Sequence, residues 1–315
     1  MTALLFGILT IALVGPIPAA LARANWPLYA PRAAMTLWQS IALAAVLSAF
    51  STGLAIAANL LAPGPDGTPT NNPIEEFHRL GWFLWSAYVL VFVLTLLVGA
   101  RLMYTVLRVA IRTRARRNAH RQMIDLVDSV EHRRHGDRST RDLRILDVPT
   151  PLAYCLPGLR SRVVLSEGVL TRLDDRQLTA VIEHERAHLR ARHDLVLEAF
   201  IALHEAFPRF VRSQSALGAV ELLAEALADD QAARATCPTT VGRALVACAD
   251  ATAPRGAMAV GGPTTLVRVR RLGHRTPQRG IAATAYLLAA AILVVPTLAV
   301  AIPWLTELSR LLTHA

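Results

Sequence analysis

The sequence predicts a mainly α-helical membrane protein in which four apolar spans carry a polar α+β domain between the third and the fourth. Three observations predict it. The 315 residues are 53% hydrophobic and only 18% charged, with a mean hydropathy of +0.39, a balance too apolar for an ordinary water-soluble chain. The apolar residues concentrate in the first hundred positions and the last thirty-five. The ionisable residues gather between positions 101 and 280.

The spans are read at 1–22, 33–62, 80–100 and 281–305, each reaching the roughly 20 apolar residues that cross a bilayer. The first has no charged side chain and so lacks the positive start of a signal peptide. Gln39 and Asn59 are the most polar members of the second, and Pro296 and Pro303 lie in the fourth, where neighbouring helices can satisfy the carbonyls a proline frees.

Loop charge sets the orientation. The first loop carries Arg23 and Arg32, whereas the second, 63–79, carries Asp66, Glu75 and Glu76 against Arg79. Arg101, Arg108, Arg112, Arg114, Arg116, Arg117 and Arg121 follow the third span. Arg268, Arg270, Arg271, Arg275 and Arg279 precede the fourth. The first loop and residues 101–280 are therefore expected in the cytoplasm. The N-terminus, the second loop and the tail 306–315 are expected outside an inner or plasma membrane, with the lipid bilayer as a partner.

The net charge of +10 comes from arginine alone, with no lysine. Basic balance is a mark of nucleic-acid binding. The run 101–121 follows a span directly, however, where snorkelling and anionic lipid account for it, so no direct nucleic-acid partner is expected. Cys155, Cys237 and Cys248 are odd in number and lack CxxC spacing, which argues against a disulfide framework or a cysteine zinc site and reads as reduced thiols.

Within 101–280 a helix continues out of the third span over 102–132, and 132–142 reads as a polar loop. Short strands are predicted at 144–148, 152–155 and 162–165, split by Pro149, Pro151, Pro157 and Gly158. Asp174 or Asp175 can cap a helix over 176–192, with Gln177 placed as in a capping box. Further helices are predicted over 195–206, ending before Pro208, and 215–235.

The first of these helices reads His184-Glu185-Arg186-Ala187-His188. Histidines four apart share a helical face, so both imidazoles can reach one zinc ion. Glu185, beside the first, is placed to act as the general base. A solvated helix with two surface histidines is the plainer alternative. The strong cap and the strand before the helix favour the metal. Zinc needs a third protein ligand. No histidine stands six residues after His188; His193 is five on, expected on another face and outside the ligand set. On the helix 215–235, Glu221, Glu225 and Asp229 recur every four residues. Three stacked carboxylates repel one another unless a cation or basic partner sits there. Glu225 is the expected ligand, Glu221 its rival, and Asp229 is placed to orient a ligand histidine through its other ring nitrogen.

The pattern HERAHLRARHD, with ELLAEALADD about forty residues on, resembles the BlaR/MecR-type antirepressor metallopeptidases. These are membrane gluzincins related to the wider group that includes the prenyl-protein and stress-response proteases. The resemblance implies that the inserted domain is a cytoplasmic zincin-like peptidase domain holding one zinc ion. Its ligands would be His184, His188 and the Glu225 of an E-x-x-x-D motif ending at Asp229. The segment PLAYCLPGLRSRVVLSEGVL resembles the family's substrate-binding edge strand, so Leu152, Ala153, Tyr154 and Cys155 are expected to line up substrate. Asp194 and Phe207-Pro208 also match family positions. The implied activity is a zinc metalloendopeptidase that cleaves a protein substrate, a winged-helix repressor in a signalling pathway. Antibiotic-sensing members carry an external penicillin-binding domain after the fourth span; about ten residues follow Leu305 here, so a chain without that domain is expected. A membrane quality-control protease and a non-catalytic scaffold with structural zinc are the alternatives. An oligomer is neither required nor excluded.

Overall fold

The computed structural model describes residues 2–61, 73–131, 142–158, 161–207, 214–249, 258–259, 264–273, 279–302 and 305–306. The greater part of the second loop, the polar stretch 132–141, Pro208, Pro303 and the tail from 307 lie outside the described residues.

Four helical stretches are long and apolar enough to cross a membrane: Thr2–Arg23, Pro31–Ala57, Leu80–Met123 and Arg279–Ala299. The first is not one rod, as the sequence reading had it. It divides into α1 (Thr2–Val14) and α2 (Pro16–Arg23), because Pro16 has no N–H to continue the ladder and Gly15 takes the cap position. The second is α3 (Pro31–Ala57), again opened by a proline. The third is part of α4 (Pro73–Glu131), which kinks at Gly81, where φ is +72°. Only glycine takes that conformation freely. Beyond the kink α4 runs unbroken for about 75 Å, so the apolar stretch and the basic run are one continuous helix.

A small sheet follows, from β1 (Leu143–Leu146), β2 (Ala153–Leu156), β3 (Arg162–Ser166) and β4 (Met258–Ala259), in the order β1-β3-β2-β4. β1 runs parallel to β3, while β2 is antiparallel to β3 and β4. This corrects the edge-strand expectation. β2 is an inner strand, with Tyr154 opposite Ala259 and Cys155 opposite Met258. Leu152 precedes the strand and donates its N–H to Ser166 Oγ at 2.8 Å. Two residues in an Ala/Gly-rich stretch have no alternation to betray a strand, which is why β4 was not foreseen.

Ser166 caps α5 (Glu167–Arg172). α6 (Asp175–Ala191) starts on the expected capping box: Asp174 Oδ1 accepts from Gln177 N at 2.8 Å, and Gln177 Oε1 from Asp174 N at 3.3 Å. α6 ends at Arg192, which takes the left-handed conformation at φ 51° and opens α7 (His193–Ala206) directly. α8 (Gln214–Ala235), α9 (Pro238–Ala247), α10 (Thr265–Gly273) and α11 (Arg279–Pro296) follow in order among the described residues.

Two cores hold these parts. One joins the sheet to α5, α6, α8, α9 and α10 through residues such as Val163, Leu165, Val181, Ala232 and Leu245. The other packs Val220, Leu223 and Ala224 of α8 and Phe200 of α7 onto Leu13, Leu37, Trp38 and Ile41 of α1 and α3. α8 is thus clamped between the metal-motif helix and the apolar helices, which explains a sequence apolar nearly all round. α4 is tied down by Arg117, which pairs with Asp194 at 3.0 Å and Glu198 at 2.7 Å, and by His120 Nε2, 2.9 Å from the Tyr154 hydroxyl. Part of the basic run is therefore engaged with its own chain.

Candidate metal centre

α6 and α8 cross so that His184, His188 and Glu225 point at one place. Each offers a ligand atom, and these atoms all lie within 4.8 Å of one another. His184 Nε2 and His188 Nε2 are 3.2 Å apart. Glu225 Oε2 is 3.4 Å from His184 Nε2, and Oε1 is 3.4 Å from His188 Nε2. Atoms about 2.1 Å from one ion at the tetrahedral angle are separated by about 3.4 Å, so the triangle has the size zinc requires. Among the described residues the group has three donors, the number that leaves a fourth position open.

Glu185 adds a second observation. It is fully buried, and among the described residues neither carboxylate oxygen has a hydrogen-bond partner beyond the Cys155 thiol beside it. A buried carboxylate so poorly partnered is costly. Burial pushes its pKa up, opposed by His184 and His188, and a cation beside it would remove the penalty. These residues fit a divalent metal ion.

The surroundings orient the donors. Asp229, fully buried, places Oδ1 3.1 Å from His184 Nδ1, so the proton of His184 belongs on Nδ1 and Nε2 is left to bind. Burial alone would lower the pKa of His184, yet Asp229 and Glu225 raise it to about 9. Glu221, the rival ligand, is exposed one turn away and lies outside the group.

Two neighbours were not foreseen. Arg268 on α10 is 1% exposed, and it donates from Nε and Nη2 to the two Asp229 oxygens at 2.8 and 2.6 Å. Its Nη1 lies 2.8 Å from Glu225 Oε2. Burial works against ionised Glu225, but Arg268 and the imidazoles outweigh it and hold the carboxyl well below the usual range. Arg268 and Arg271, which pairs with Asp230 at 2.7 Å, were read as loop charge and are instead buried. The repulsion among stacked carboxylates did call for a basic partner, which was the available signal. The second neighbour is His193. It lies outside the donor group, as expected, but not on another face: its Nδ1 is 3.0 Å from His188 Nδ1. The left-handed turn at Arg192 breaks the helical phase and brings it back. Burial lowers its pKa to about 3, so it is neutral. Cys155 faces the same region; burial and the Glu185 charge push its thiol up, and it stays protonated.

Comparison with protein families matches residues 115–259 to Peptidase family M48. The matched stretch holds every residue of the centre except Arg268, and it supports a gluzincin-type metallopeptidase. Curated proteins and solved structures returned no match.

Proposed function

We propose that this chain is a membrane-embedded zinc endopeptidase whose ligands are His184, His188 and Glu225, with Asp229 orienting His184. The observation that carries the reading is the 3.2–3.4 Å donor triangle beside a fully buried Glu185. A bound zinc ion supplies Lewis acidity to the scissile carbonyl and lowers the pKa of a water. Glu185 takes the proton from the attacking water and passes it to the leaving amine nitrogen. Asp229 fixes the His184 tautomer, and Arg268 holds Asp229 and Glu225 in place. Substrate extended along β2 takes backbone groups of Tyr154 and Cys155 that Met258 and Ala259 now occupy, so binding there displaces that pairing. The four apolar helices and the arginine bias support a membrane protein with the peptidase domain on the cytoplasmic side.

The BlaR/MecR resemblance points to a cytoplasmic winged-helix repressor as substrate. The same resemblance reaches the stress-response proteases and gives a second reading, quality control of membrane proteins; the match to Peptidase family M48 supports the metallopeptidase class that the two readings share. The test is a proteome-wide comparison of fragments in cells carrying the parent or Glu185→Gln. One dominant fragment pair from a repressor supports the first reading, and many fragments from misfolded chains the second. Identical fragment sets would remove both.

A further inference from the structure

We infer that the outward face of α4 is a homodimer interface, pairing in parallel with α4 of a second copy of this chain. The inference rests on the membrane placement proposed above, and it is independent of the peptidase reading. Beyond its kink, α4 exposes Phe83, Leu90, Leu97, Tyr104 and Ile111, spaced seven apart. It also exposes Ser86, Val93, Ala100 and Leu107, each three residues after one of the first four. Together they form one seam about 42 Å long, with the 3.5-residue repeat of a coiled coil sustained over four heptads. Among the described residues, α4 meets its own chain on the opposite side. Thr105 and Val109 are buried there, Thr95 lies against Gly53 of α3, and Gly99 lies against Phe50.

Lipid accounts for only part of this face. Leu107 and Ile111 stand about 10 and 16 Å past Ala100 along the helix axis, whereas the headgroup layer is about 5–8 Å thick on each side of a bilayer. Arg101, Arg112 and Arg114 are exposed on the same turns, and their charges keep this part of the helix out of hydrocarbon. Leu107 and Ile111, 57% and 56% exposed, therefore face water in the single chain. An apolar stripe of this kind, continuous with a membrane span, marks a protein interface. A second copy fits it. Copies inserted in one orientation pair in parallel about a two-fold axis along the membrane normal, so each seam position meets its own counterpart. Arg101 and Arg108 then face Leu96 and Met103 across the seam, and no like charges meet. Arg114 holds the next place in the repeat and ends the seam. Ser86 and Ala100 are small enough to let the helices approach closely. Burying a large apolar side chain removes roughly 60–120 Å² from water. The seven large seam residues on two copies thus cover about 800–1,700 Å², a range that includes the size of a stable interface.

The test is oxidative cross-linking of the full chain in native membranes, with Cys237→Ser removing the exposed native thiol; Cys155 and Cys248 are buried. Leu107→Cys and Ile111→Cys, each added alone, are expected to give disulfide-linked dimers. Val106 and Arg112 are exposed on the same turns but point away from the seam, so Val106→Cys and Arg112→Cys should stay monomeric. Energy transfer between two labelled pools, followed on dilution in liposomes, reads the affinity. Leu107→Ala should weaken it about tenfold or more, because both copies lose buried apolar groups. The residue is exposed in the single chain, so the fold and the zinc content should match the parent. Equal cross-linking at all four positions, no energy transfer in the parent, or an affinity unchanged by Leu107→Ala would overturn the inference. So would stoichiometric recovery of a different protein cross-linked at Leu107→Cys. Recovery of the chain without detergent in the soluble fraction would instead sink the membrane placement.

Discussion

Glu185→Gln should damage catalysis and stabilise the fold at once. The catalytic loss follows from the role: removing a positioned general base costs about 10²–10⁴ in rate, or about 3–5 kcal/mol of transition-state stabilisation. The stability gain follows from burial. Both Glu185 oxygens are buried, with the Cys155 thiol as their one polar neighbour of note among the described residues, and burial raises its pKa above the ordinary 4.5. A carboxyl with a raised folded pKa contributes stability that is present below 4.5 and is lost as pH rises through the folded value. At neutral pH the ionised group therefore works against folding in the metal-free chain. A neutral amide of the same shape relieves about 1–3 kcal/mol, which shifts Tm by roughly 2–4 °C per kcal/mol. The assay pairs kcat on a peptide substrate with thermal unfolding in detergent, with chelator and with zinc. The gain should appear with chelator, grow from pH 4.5 upward and shrink with zinc, whose charge offsets the carboxylate. A metal-free variant no more stable than the parent, or one that cleaves at the parent's rate, refutes the reasoning.

Further consequences concern the donors and their support. Glu225→Ala should lower zinc per chain while exposed Glu221→Ala leaves it unchanged, read by metal analysis; the reverse pattern would exchange their roles. Asp229→Asn should weaken zinc affinity about 10–100-fold, measured by competition with a chromophoric chelator, and an unaltered affinity would remove the orienting role. Arg268→Met breaks a buried ion-pair cluster and should cost the metal-free chain about 3–5 kcal/mol, seen as a drop in Tm larger with chelator than with zinc. The pKa of metal-free His184 is raised from 6.5 to about 9, so its protonated form contributes stability that is present below 6.5 and lost as pH rises through about 9. Zinc must displace that proton, so affinity should rise about tenfold per pH unit below 9 and level off above it; an affinity flat across that window would contradict the assignment.

How much of the centre can be read from the sequence depends on the range of the signal. His184 and His188 are four apart, and Asp174 and Gln177 close a capping box within one turn, so local periodicity exposes both. Glu225 needed a second helix, and the four-residue recurrence with Glu221 and Asp229 narrowed it to one face. Packing separates the two glutamates: Glu225 lies 3.4 Å from both imidazoles, while Glu221 is exposed and outside the donor group. Arg268 was hidden among arginines whose number suited loop charge, and its partner Asp229 is 39 residues away, a pairing that no local pattern encodes. His193 was misplaced because helical phase was carried through Arg192, whose left-handed backbone has no glycine to announce it. β2 read as an edge because its second neighbour is only two residues long.

Zinc content of the purified chain tests the centre most directly. The account predicts one zinc per chain, lost in a His184→Ala, His188→Ala double substitution that keeps its helical circular dichroism. Metal-free protein that stays metal-free in micromolar zinc, with all three donors intact, would contradict it.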